Sequence, residues 1–191
     1  MSYLSLLDHV TLFRGLAAID RELADAARSG KCPHCRNALH DGSYTRKPRG
    51  APKGVDVPPE CCVRLSLCCG TCRRRTLPPS VLYLGRRFYW GSVVLLVTAA
   101  AQGLERCTIN DLTRRFGVAR RTIKRWVEFF RLVFPNSAAW RRLRGHVSAT
   151  VTNELLPSSF LEWFFEARAS SVDSLIAALR LIACGPKSRD K

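Results

Sequence analysis

Carboxylates are scarce in this chain, with 15 Asp and Glu against 31 Lys and Arg in 191 residues. After Phe130 there are five acids, Glu154, Glu162, Glu166, Asp173 and Asp190, and no strand-rich stretch to gather them. A metal-dependent nuclease needs such a cluster, so no catalytic residue is expected and the chain is not read as an enzyme. Phosphate-cradling glycine patterns and zinc-protease motifs are also missing. The serines lie mostly at helix starts, where capping accounts for them, rather than among activating arginines. Long apolar runs are missing too. The longest, Val93 to Ala101, has nine residues, where a bilayer-crossing helix needs roughly 20. The opening MSYLSLLDHV has no basic residue of a secretory signal and carries Asp8 within its apolar stretch. These absences lead to the expectation of a cytoplasmic protein without a membrane partner.

With 47% hydrophobic and 24% charged residues, the chain can bury a core, which excludes a disordered or collagen-like polypeptide. Its charge is concentrated. Residues 31–144 hold 23 Lys and Arg against six acids, whereas the remainder holds eight against nine. Arginine outnumbers lysine 25 to six, and a guanidinium suits bidentate contact with phosphate and guanine. A positive field confined to the middle of the chain attracts a polyanion by releasing its counterions. Double-stranded DNA is therefore the expected partner.

Four sections follow from the patterning. Residues 1–30 place Leu4, Leu7, Phe13, Leu16, Ile19 and Leu23 at near-helical spacing, with a stop at Ser29-Gly30. Residues 31–85 carry short alternating runs, interrupted by Pro48, Gly50, Pro52, Gly54, Pro58 and Pro59, a loop that is a candidate for mobility. Residues 86–135 return to helical patterning, beginning with an apolar helix over 92–102. Residues 136–191 hold three more helical candidates, 137–144, 159–168 and 172–184, the last ending before Gly185-Pro186. The aromatic 159–168 helix reads first as core and second as a docking surface for another copy of the chain or a transposition protein.

Two C-x-x-C units, Cys32-Pro33-His34-Cys35 and Cys69-Gly70-Thr71-Cys72, have the spacing that lets one tight turn aim two thiolates at one ion. Pro33 pre-sets a φ angle and Gly70 relieves Cβ crowding. A structural zinc held by Cys32, Cys35, Cys69 and Cys72 is expected, with Cys68 as a competitor for Cys69. Four cysteines close the coordination shell, which leaves no open catalytic position. Removing residues 47–60 would leave a hairpin with arms 37–46 and 61–68. Alternation along the second arm puts Val63, Leu65 and Cys69 on one face and Arg64, Ser66 and Cys68 on the other. His34 reads as a turn residue, and Cys107 and Cys184 read as core.

Thr108 and Asp111 stand in capping-box relation, and Ile109, Leu112 and Phe116 share a helical face. Gly117 then permits a left-handed turn, and Val118 can plug the space behind it. In the next helix Ile123, Trp126, Val127 and Phe130 form the apolar stripe, so Arg121, Lys124, Arg125 and Glu128 face outward. The spacing predicts a helix-turn-helix whose second helix brings Arg120, Arg121, Thr122 and Arg125 to base edges and Lys124 to a phosphate. Ala119 is a weak cap for that helix. Arg73, Arg74 and Arg75 follow a zinc turn, where consecutive side chains fan apart and suit phosphates. The fold class is thus mainly α with a small β zinc ribbon and a helix-turn-helix unit.

The succession CPHC, a basic hairpin, CCGTC, RRRTLPPSVLYLGRRFYWGSVVLLV and TINDLTRRFGVARRTIKRWVEFF resembles the zinc-ribbon plus helix-turn-helix modules of bacterial insertion-sequence transposases. The likeness covers about residues 32–130. Leu77-Pro78 and Arg86-Arg87-Phe88-Tyr89 join its two halves. It implies binding to the ends of a mobile element, in a family whose strand transfer resides in a separate RNase-H-like domain that this sequence does not display. The expected function is therefore sequence-specific DNA binding in a mobile element. The other reading is a helix-turn-helix transcriptional regulator with a structural zinc.

Overall fold

The computed structural model describes residues 3–84 and 89–184, so Arg86, Arg87, Phe88 and the Gly185-Pro186 stop lie outside the described residues. A 3-10 turn (Tyr3–Asp8) leads into α1 (Val10–Ser29). The strands β1 (Leu39–Asp41), β2 (Tyr44–Thr45), β3 (Val63–Arg64), β4 (Leu67–Cys69) and β5 (Arg75–Thr76) follow, with a 3-10 turn (Pro59–Cys62) before β3. The rest is helical: α2 (Gly91–Ala101), α3 (Ile109–Phe116), α4 (Arg120–Glu128), a π-helical turn (Phe129–Val133), α5 (Ala138–Arg144), α6 (Ser158–Glu166) and α7 (Ser171–Cys184). The protein is mainly α with small antiparallel sheets.

One continuous core gathers residues from the N-terminal helices and from all six helices after the sheets. Sections 1–30, 86–135 and 136–191 therefore share a single interior. At its centre lies α2. Its sequence is apolar around the whole circumference, so no face can meet water, and every residue from Gly91 to Ala100 is buried. The amphipathic α1 turns Leu12, Phe13, Leu16 and Ala17 inward, and the Asp20 carboxylate with them. A buried carboxylate needs partners. Asp20 accepts hydrogen bonds from the Ser80 hydroxyl (2.5 Å) and the Val81 N–H (2.6 Å), which fastens the chain entering α2 onto α1. Burial pushes its pKa above the ordinary carboxylate value, against the pull of these bonds.

The hairpin forms on the expected arms. β1 pairs with β4 (Leu39 opposite Cys69) and β2 with β3 (Tyr44 opposite Arg64), while β5 adds a third strand beside β4. The even alternation expected along the second arm is broken, since Ser66 and Leu67 are both buried and Val63 and Leu65 are only half-buried. Ser66 is drawn in because its Oγ takes a hydrogen bond from Arg75 (3.0 Å).

The Pro/Gly loop does not project freely. Gly50, Pro52 and Pro58 are buried, Ala51 and Val57 pack on the main core, and the Lys53 N–H donates to the Arg115 carbonyl (3.0 Å). Gly50 adopts φ +90, a conformation open to glycine. A Cβ there would meet Val93 Cγ1 at 3.2 Å and Val118 Cγ2 at 3.3 Å. The loop's far end is anchored by Cys61, a fully buried thiol that donates to the Phe13 carbonyl (3.4 Å) and is pushed up to about 12 by burial.

After α4 the helix widens by one residue, with the Phe134 N–H bonding the Phe129 carbonyl (2.8 Å). This keeps Phe130 and Phe134 in the core and turns Leu132 and Val133 outward, 65% and 56% exposed. In α6, Phe160, Leu161 and Phe164 are buried, so the core reading of that helix holds. Cys107 is half-buried against the core. Cys184 is exposed at the end of α7, because the helix has run past the core there, contrary to its reading as a core residue.

Candidate metal centre and nucleic-acid interface

The Sγ atoms of Cys32, Cys35, Cys69 and Cys72 all lie within 4.8 Å of one another, a group that could hold a metal ion. Across the two turns, Cys32 and Cys72 are 3.6 Å apart and Cys35 and Cys69 are 3.4 Å apart. Four sulfurs at about 2.3 Å from a tetrahedral ion would be separated by about 3.8 Å, close to these spacings.

The two turns repeat one backbone design. Cys32 N–H donates to Asn37 O (2.9 Å) and Arg36 N–H to Cys32 O (2.8 Å); in the other turn Cys69 N–H donates to Arg74 O (3.0 Å) and Arg73 N–H to Cys69 O (3.2 Å). In each, the residue after the second cysteine is left-handed, Arg36 at φ +60 and Arg73 at φ +59. A Cβ at Gly70 would lie 2.9 Å from Nε2 of the His40 side chain on β1, which would have to turn aside.

Other backbone N–H groups of the two turns, those of His34, Asn37 and Arg74, favour thiolates. The His34 N–H holds the Cys32 thiol below its usual value, and the Asn37 N–H brings Cys35 down to about 6. The Arg74 N–H pulls on Cys72 likewise, but burial and the neighbouring Cys69, Cys35 and Cys32 together push it up to about 12. Four ionised sulfurs repel one another at this distance, and a bound cation removes that conflict. Cys68 stays outside the group, its thiol donating to the carbonyls of Arg73 (3.6 Å) and Cys69 (3.8 Å). His34 is outside as well, with Nδ1 3.2 Å from Arg74 Nη1.

Three residues join α3 to α4. Gly117 is left-handed (φ 58, ψ 23), and Val118 is buried. Thr108 caps α3 by accepting from the Asp111 N–H (3.2 Å), and Ala119 provides no side-chain cap for α4. The cations of the two helices have different surroundings. On α3, Arg114 pairs with Asp111 (3.4 Å) and Arg115 with Asp8 (2.9 Å). On α4, Arg120, Arg121, Lys124 and Arg125 are exposed, and none makes an ion pair with a described residue. Thr122, expected on the same face, is 8% exposed as a residue and precedes the fully buried Ile123.

The run Arg73-Arg74-Arg75 divides by neighbour. Arg73 is exposed at its left-handed position, and Arg74 bridges to His34 in the other cysteine turn. Arg75 ties the hairpin together, donating to the Gly42 carbonyl (2.8 Å) and Ser66 Oγ and lying over the Tyr44 ring (5.5 Å). No family model, curated protein or solved structure matches the chain.

Sequence reading missed one further group. Thr45, Arg46, Lys47, Arg49 and Tyr89 line a concave surface of about 440 Å³. Their charge was legible, but Tyr89 is more than 40 positions from Thr45, and only the docking of the loop brings them together.

Proposed function

We propose that this protein binds double-stranded DNA sequence-specifically as a mobile-element module, with α4 as the recognition helix. The observation that carries the reading is the unpaired, exposed quartet Arg120, Arg121, Lys124 and Arg125, beside an α3 whose arginines are neutralised. The α3–Gly117–α4 unit, backed by buried α2, has the organisation of a helix-turn-helix. In that docking mode the N-terminal part of the second helix enters the major groove. Arg120, Arg121 and Arg125 then reach guanine O6 and N7, and Lys124 meets a phosphate.

The four-cysteine group is read as a structural Zn2+ site that holds the hairpin against the helical core. Zinc suits an all-sulfur tetrahedral shell, and four protein ligands leave no place for a reacting water. The assignment to a mobile element rests on the resemblance of residues 32–130 to insertion-sequence modules. Selection of bound duplexes from a random pool tests the reading. An enriched motif that recurs in inverted repeats flanking the gene is expected. A motif found in promoters instead would favour the transcriptional regulator, and no enrichment over random DNA would overturn specific binding.

A further inference from the structure

Resting on the DNA-binding reading, the geometry points to a second phosphate site: the concave surface of Thr45, Arg46, Lys47, Arg49 and Tyr89 takes the sugar–phosphate backbone of the duplex that α4 reads. Among the described residues, three cations line this surface with one hydroxyl from Thr45 and one phenol from Tyr89, and none of the described lining residues is a carboxylate. Such a set neutralises an anion and supplies it with hydrogen-bond donors. Lys47 and Arg49 are exposed, as a contact to an outside ligand requires.

The surface is also fixed relative to α4. The Tyr89 ring meets the α4 residue Trp126 edge-on, with centroids 4.9 Å apart. Arg49 bridges to Tyr89 through the backbone, and the next residue, Gly50, packs against Val118 of the α3–α4 turn. Because Lys53 is hydrogen-bonded to Arg115, the loop carrying these cations cannot shift without disturbing that turn. A rigid positive concavity next to a recognition helix favours the backbone flanking the bases being read over a separate ligand. Phosphate contacts of this kind set register and add affinity, but read no sequence.

The test uses full-length, zinc-loaded protein and the duplex selected by the wild type, with Lys47→Ala/Arg49→Ala compared across a salt series. Two lost phosphate contacts lower the slope of log K against log salt by about 1.8, so from 50 to 200 mM salt the wild type should lose about 12-fold more affinity than the variant. The variant's base preference should be unchanged, and Lys47→Arg/Arg49→Lys should restore the slope. Neutralising the flanking phosphates as methylphosphonates should remove the same slope from the wild type. Lowered melting or lost zinc in the variant will identify a folding artefact, in which case the methylphosphonate duplex decides. A wild-type slope in the variant, or an altered base preference, overturns this inference and leaves α4 as reader. Failure of the wild type to prefer any duplex overturns the DNA reading itself.

Discussion

Replacing Cys69 with Ser should cost the protein its metal and, with it, the hairpin, while leaving the helical core folded. The hairpin's own apolar cluster consists of Leu39 and Leu67 together with Cys32 and Cys69. Burying two leucines is worth roughly 3 to 6 kcal/mol. Ordering the backbone of β1 and β4, three residues each, costs roughly 6 to 12 kcal/mol before any turn is counted. Strand hydrogen bonds return only part of that, so packing alone does not hold the element. A structural zinc contributes about 10 to 16 kcal/mol, enough to reverse the balance. Elemental analysis should find one zinc per chain in the wild type and in Cys68→Ser, and none in Cys69→Ser. Amide exchange should show residues 32–46 and 63–76 losing protection in Cys69→Ser and after chelation, while α2 keeps its own. Retention of zinc by Cys69→Ser with loss in Cys68→Ser would refute the register. Persistent protection of β1 and β4 without metal would refute the energetic argument.

Three further outcomes follow from the same geometry. Arg121→Ala should relax base preference at one position by roughly 1 to 3 kcal/mol, whereas Arg74→Ala should weaken binding on all sequences alike; binding to point-mutated sites would expose the reverse assignment. The raised pKa of Asp20 means that the folded state holds its proton more tightly than the unfolded chain does, so stability falls as pH rises from the ordinary carboxylate value through the raised one. Asp20→Asn should flatten that part of the urea-midpoint profile, and Asp20→Ala should cost about 1 to 3 kcal/mol by orphaning the Val81 N–H; a slope that survives in Asp20→Asn would assign it to another group. Gly50→Ala should cost about 1 to 2 kcal/mol for its left-handed backbone alone, with crowding against Val93 and Val118 adding to it, and an unchanged Tm would show that the loop is not packed as described.

The elements easiest to read were those whose signal is local. Periodicity located α1 and α3 to α7 because a helix writes its buried face at fixed spacing, and each C-x-x-C announced a turn because its chemistry is confined to four residues. What escaped reading depends on distant partners. The Pro/Gly loop looked like an open excursion, since nothing in its composition names Arg115 or Val118 as its seat. Thr122 follows three exposed residues, and only the packing of α4 onto α2 turns it inward. Arg75 resembles Arg74 as a letter, but pairing of β4 with β5 brings it to Gly42 and Ser66. The π-helical turn was equally hidden, because seating Phe130 and Phe134 together requires an extra residue that a regular period does not anticipate.

The seating of the loop on the α3–α4 turn limits how this protein can be taken apart. A recognition unit is usually treated as portable, cut at the ends of its helices and grafted onto a new scaffold. Here residues 50–53 cover the α3–α4 pair, although they lie more than 50 positions upstream of it and between the arms of the cysteine hairpin. A transplant bounded at residues 91 and 134 would carry Val118 and Arg115 with their cover stripped off. A workable graft has to begin before Cys32, so that the loop travels with all four of the cysteines that could hold a metal ion.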